Sequence, residues 1–162
     1  MPMETLHELY VEEIKDLYSA ENQILKALPR MIKAATHPQL KRAFAKHEKQ
    51  TRTHVKRLEK IAKSLGEKPT GKKCHGMEGL LEEGKELMKE KPEANVLDAG
   101  LISAAQHVEH YEMAGYGTCR TWARLLGYDA QVELLQTTLD EEQQTDLDLT
   151  GLADGIINRD AE

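Results

Sequence analysis

Four stretches of this 162-residue sequence repeat one spacing. Their inward positions recur at alternating intervals of three and four residues, which returns a side chain to the same face of a packed helix. The first stretch puts Ile14, Leu17, Glu21, Ile24 and Leu28 on one stripe. The second gives Leu40, Phe44, His47, Thr51, His54, Leu58, Ile61 and Leu65, with Gln50 on the flank of the same face. The third gives Ile102, Ala105, Glu109, Glu112, Tyr116, Cys119, Ala123 and Leu126. The fourth gives Val132, Leu135, Leu139, Glu142, Asp146, Leu149, Ala153 and Ile156. Each stripe is apolar at both ends and polar near its midpoint.

The breaks between these stretches order the elements. Pro2 suits a helix N-terminus, where its missing N–H costs nothing. The first helical pattern then runs to about Ala35, with a kink expected at Pro29. His37-Pro38 restarts the chain, and a second helix runs to about Leu65. Gly66, Pro69 and Gly71 mark a loop. A short amphipathic helix is expected from about His75 to Lys89. After Pro92 a third long helix covers about Ala94 to Leu126, Gly127 ends it, and a fourth runs from about Tyr128 to Ile157. Short links make helices one and two antiparallel neighbours, and likewise three and four. The longer segment between helices two and three is free to cross the bundle. The expected fold is all-α: a single ferritin-like domain over residues 1–162, a four-helix bundle with a short extra helix in the crossover between helices two and three.

Composition narrows the function classes. The chain is 31% charged and 4% aromatic, as suits a bundle built on Leu, Ile and Ala. Its net charge of −6 argues against a nucleic-acid partner. No apolar run is long enough to span a bilayer, and the N-terminus lacks a signal peptide's apolar stretch. No membrane role and a cytoplasmic location are therefore expected. Cys74 and Cys119 are too few for a disulfide framework and are read as free thiols.

In an antiparallel bundle, helix midpoints lie at the same height, so the polar interruptions should meet in one layer. That layer would hold Glu21, Glu109, Glu112, Glu142 and Asp146, with His47, Gln50, Thr51 and His54 from helix two. An ionised carboxylate buried without a partner costs several kcal/mol even after relaxation. Five together would repel and drive some to protonate. Two divalent cations would nearly balance the charge, with carboxylates bridging and imidazoles as terminal ligands. Oxygen and nitrogen donors suit iron or manganese, and zinc is an acceptable third. The expected ligands are Glu21, His47, Gln50, His54, Glu109, Glu112, Glu142 and Asp146, with Glu112 able to bridge. The competing reading is a metal-free structural or partner-binding bundle, in which His47 and His54 are protonated against the carboxylates and the polar layer only specifies register.

Other candidates rank lower. Glu4 and His7 have carboxylate-site spacing but stand at the start of helix one, about 21 Å of helix away from Glu21. His107 and His110 flank the third stripe rather than lie on it. The basic residues along helix two, Lys41 to Arg57, read as a solvated face.

The segments DLYSAENQ at 16 to 23, KCHGMEGLLEE at 73 to 83, AAQHVEHYEMAGYGT at 104 to 118 and LLQTTLDEEQQTD at 134 to 146 resemble the YciE/YciF family of bacterial ferritin-like stress proteins, in its YciF branch. The resemblance covers nearly the whole chain. It implies a rubrerythrin-like or ferritin-like bundle, a homodimer, in the bacterial cytoplasm, with a di-metal site of two iron ions and a link to stress. On helix two the family pattern has a Glu where this chain has Gln50, and a Gln where it has His54. Gln50 offers a neutral oxygen in place of a bridging carboxylate, and His54 offers a ring nitrogen. An oxidase-like or peroxidase-like activity would need an outside electron donor, because no four-cysteine electron-transfer module is present.

Overall fold

The computed structural model describes residues 2–162. Among these the chain is helical throughout: α1 Leu6–Ala34, α2 Pro38–Ser64, α3 His75–Lys89, α4 Ala94–Leu125, α5 Asp129–Leu152, a π-helical turn Ala153–Ile157, and a last short α6 Asn158–Asp160. No helix among them is long and apolar enough to cross a membrane.

Local chemistry sets the helix ends. Pro2 lies outside α1, contrary to the sequence reading. The Thr5 hydroxyl accepts from the Glu8 N–H while the Glu8 carboxylate accepts from the Thr5 N–H, and this reciprocal box starts the helix instead. The helix then continues through Pro29 to Ala34. The α4–α5 link turns at Gly127, whose φ of 78° favours a residue without a side chain. There the Tyr128 N–H donates to the Ala123 carbonyl and the Gly127 N–H to the Arg124 carbonyl, closing α4 with a left-handed cap.

The four long helices pack as a ring of neighbours, α1 on α2, α2 on α5, α5 on α4 and α4 on α1, while α3 lies against α4 and α1. Ring neighbours run antiparallel. Lys15 pairs with Glu67 and Tyr18 with Glu59 along α1 and the α2 end. Arg120 meets Gln136 while Gln106 meets Thr150 along α4 and α5. Helices α2 and α4 therefore run the same way, and the chain must return the full length between them, a path that carries α3. One buried carboxylate anchors the far turn: Asp98 of α4 accepts from the Thr36 N–H at 2.8 Å, the Thr36 hydroxyl at 2.6 Å and the His37 N–H at 2.9 Å.

The predicted stripes face inward with two exceptions, both on the fourth stripe: Ile156 in the π turn and Asp146 in α5. Ile156 is 47% exposed while Ile157 is 2% exposed. The π turn is wider than an α turn and carries the inward position one residue further along. Asp146 also leaves the core, as described below. Cys74 and Cys119 are both free and buried.

Candidate metal centre

The polar midpoints of the stripes converge. Glu21 of α1, His47 and His54 of α2, Glu109 and Glu112 of α4, and Glu142 of α5 are all buried, none more than 5% exposed. Apolar clusters close them in from both ends. One contains Ile24, Leu28, Phe44, Ile102 and Leu149; the other contains Ile14, Leu17, Leu58, Tyr116 and Leu135. Helix register brings the acids level. His7 bonds Tyr128 and Tyr10 bonds Gln131, each across 121 residues, and Glu21 and Glu142 stand at that same separation.

Two overlapping groups form. Glu21, His54, Glu112 and Glu142 each bring one donor atom within 4.8 Å of the others, and so do His47, Glu109 and Glu142. Glu142, rather than Glu112, belongs to both. His54 Nδ1 lies 2.8 Å from Glu142 Oε1 and 3.2 Å from Glu21 Oε1, and His47 Nε2 lies 2.9 Å from Glu109 Oε1. These nitrogens are close to the oxygens yet not aligned to share hydrogen bonds with them. Ten buried side-chain nitrogen and oxygen atoms among the described residues lack a hydrogen-bond partner, and nine of the ten belong to these six residues. Orphaned polar atoms in a dry interior are costly, roughly 1–3 kcal/mol for each neutral group and more for charged ones. One donor atom from each of the six residues converges with those of its group, and such sets fit divalent cations at their centres.

Neighbours orient this set. The Tyr116 hydroxyl donates to Glu21 Oε1 at 2.6 Å, leaving Glu21 Oε2 free. His54 Nε2 contacts Glu141 Oε2 at 3.2 Å, and Arg57 donates to Glu141 Oε1 at 2.7 Å and to the Thr138 hydroxyl at 3.1 Å. When Nε2 carries the proton toward Glu141, the Nδ1 lone pair faces Glu21 and Glu142. This is how a carboxylate behind an imidazole selects the ligating nitrogen.

The electrostatics follow from crowding. Burial pushes the Glu109 carboxyl well above the usual range, and Glu142 and Glu21 add to the shift. Burial does the same to Glu112, reinforced by Glu21 and Glu142. For Glu142 burial opposes ionisation, but Glu109, His54 and His47 hold its pKa down at about 2. For His54 burial opposes the charge, and the carboxylates of Glu141, Glu142 and Glu21 outweigh it, raising the pKa to about 11. Without cations, protons do the neutralising.

One expected ligand, Asp146, belongs to neither group. Gln50 is half-buried and its Oε1 accepts weakly from the Thr145 hydroxyl at 3.4 Å. Asp146 is half-buried on the α4 side, held by Gln106 Nε2 at 3.3 Å and by His110 Nε2 at 3.1 Å. Beyond Glu142 the inward axis of α5 passes between Thr145 and Asp146, so neither points straight in. His54 supplies an α2 donor to the first group and His47 one to the second. The sequence reading missed Glu141, whose Cβ leaves α5 about 100° from that of Glu142. Its available signal was His54 and Arg57, one turn apart on α2 and both facing α5.

Together these features define an all-helical protein that encloses a carboxylate–histidine cluster between two apolar cores. Residues 5–162 match the family described as Domain of unknown function (DUF892). The chain is 40% identical over 163 residues to Protein YciF of Escherichia coli (strain K12), spanning all of this chain and 98% of that protein. It belongs to the YciF family. The crystal structure of the E. coli stress protein YciF superposes with a TM-score of 0.92 over 96% of this chain and 99% of that one, at 40% identity. A protein from Rhodopseudomonas palustris, YcfI, described as a candidate structural protein, gives a TM-score of 0.88 over 91% of this chain and 94% of that one, at 41% identity.

Proposed function

We propose that this chain is a ferritin-like four-helix bundle of the stress response whose inner layer binds two cations, iron foremost, with manganese or zinc as alternatives. The observation that carries the reading is the set of nine partnerless buried atoms concentrated in six residues. Glu21, His54, Glu112 and Glu142 would hold one cation, and His47, Glu109 and Glu142 the other. Tyr116 sets the orientation of Glu21, and Glu141 sets that of His54. The apolar clusters at both ends limit water. Bound iron would supply oxidase-like or peroxidase-like electron transfer toward dioxygen or peroxide, with electrons from an external donor. The protein acts as a homodimer in the cytoplasm, and light scattering tests the dimer directly.

Elemental analysis of protein purified without chelator tests the central claim. Wild-type protein should carry close to two metal ions per chain, and Glu142→Ala should lose both. Unchanged metal content in that variant overturns the assignment.

A second reading has its own support. His47 and His54 each lie within 3 Å of a carboxylate oxygen, close enough for an imidazolium and a carboxylate to neutralise each other, and one relative is described as a candidate structural protein. On that reading the layer fixes helix register and the purified protein is free of metal.

A further inference from the structure

The two groups of the cluster are built unequally. Glu21, His54, Glu112 and Glu142 bring four donors together, three of them carboxylates. His47, Glu109 and Glu142 bring three, two of them carboxylates, and one of those is shared with the first group. Gln50 stands one turn beyond His47, and its amide oxygen would add a donor to the second group but no charge. A divalent cation is therefore balanced more fully in the first position than in the second.

The imidazoles differ in the same direction. His54 turns Nδ1 toward Glu142 and Glu21, while its Nε2 lies 3.2 Å from Glu141 Oε2. Arg57 holds the other Glu141 oxygen at 2.7 Å. This acceptor fixes the tautomer and the ring angle before any cation arrives. Among the described residues nothing does the same for His47. Its Nε2 lies 2.9 Å from Glu109 Oε1, and its Nδ1 is buried with no hydrogen-bond partner. A histidine that ligates through Nε2 carries its proton on Nδ1, and here that proton meets no acceptor. Tyr116 adds a further anchor to the first group, donating to Glu21 Oε1 at 2.6 Å.

We propose that the two cation positions fill in a fixed order. The first cation enters the position made by Glu21, His54, Glu112 and Glu142 and is retained. The second enters the position made by His47, Glu109 and Glu142, binds at least about 10-fold more weakly, and exchanges with the surroundings. The order rests on the metal-binding reading and ranks two positions which that reading leaves equal. It makes the first cation a fixed part of the core and the second a variable one, set by the supply of metal.

Manganous ion alone, titrated into the chelator-stripped full chain, tests the order. Calorimetry should show two binding steps, and electron paramagnetic resonance should locate them. Up to one equivalent the signal should be that of isolated manganese. The second equivalent should convert it to that of a coupled pair, because Glu142 links the two positions. Glu109→Gln keeps the side-chain volume, and it should abolish the weak step and leave the tight one in place. Glu141→Gln should weaken the tight step by about 10–100-fold, as removing the acceptor behind a ligating imidazole does, and draw the two steps together. A general loss of fold would weaken both steps, so the split separates orientation from stability. Two equal steps, a coupled signal from the first addition, or loss of the tight step in Glu109→Gln overturns the order while the metal reading stands. A wild-type chain that binds no manganese, iron or zinc overturns both.

Discussion

Glu142 is the residue on which the site turns, because it alone belongs to both candidate groups. Replacing it with Gln keeps the volume but removes the charge. Metal content should fall as far as in Glu142→Ala, while the metal-free variant remains folded because the amide fills the same volume. Elemental analysis and a thermal melt check the two halves of that statement. Glu141 gives a second prediction at this scale. Hydrogen bonds from His54 and then Arg57 outweigh its partial burial and lower its pKa from 4.5 to about 2. The folded state therefore favours the ionised form. Its stabilising contribution is complete above about pH 4.5 and fades as pH falls toward 2. Acid titration of wild type against Glu141→Gln should show the two melting temperatures converging over that window. A constant gap would refute it.

Among the elements, α3 is the crossover helix, and a cluster at its N-terminus locks it down. Cys74 caps the helix, its thiol 3.0 Å from the Tyr111 hydroxyl, which donates to Asp16 at 2.9 Å. Gly76 makes room for that ring: a Cβ there would stand 2.6 Å from Tyr111 Cε2. Gly76→Ala should force the ring aside and destabilise the protein by about 1–3 kcal/mol. Gly79, in the same helix, has nothing within 4 Å of an added Cβ. Gly79→Ala should stabilise by about 0.5–1 kcal/mol through helix propensity alone. Opposite shifts in urea midpoints for this pair check the packing account, and equal shifts contradict it.

For the whole molecule, metal and fold are coupled. Cations that bind the folded layer and not the unfolded chain stabilise by mass action. A chelator should therefore lower the melting temperature, and added ferrous or manganous ions should restore it in wild type but not in Glu142→Ala. The linear pattern of residues determined a good deal of this molecule. Stripes at a period near 3.5 specify helices and their buried faces, and turn residues such as Gly127 specify where they end, because both are local properties of the backbone. The convergence of Glu21, His47, His54, Glu109, Glu112 and Glu142 was legible too, since antiparallel rods of similar length bring their midpoints level. Tertiary structure alone decided that Glu142 is the shared acid, that Asp146 turns aside, that Ile157 replaces Ile156, and that Glu141 stands behind His54. Each of these depends on rotations of a few tens of degrees about a helix axis, and such rotations are set by packing between helices rather than by spacing within one.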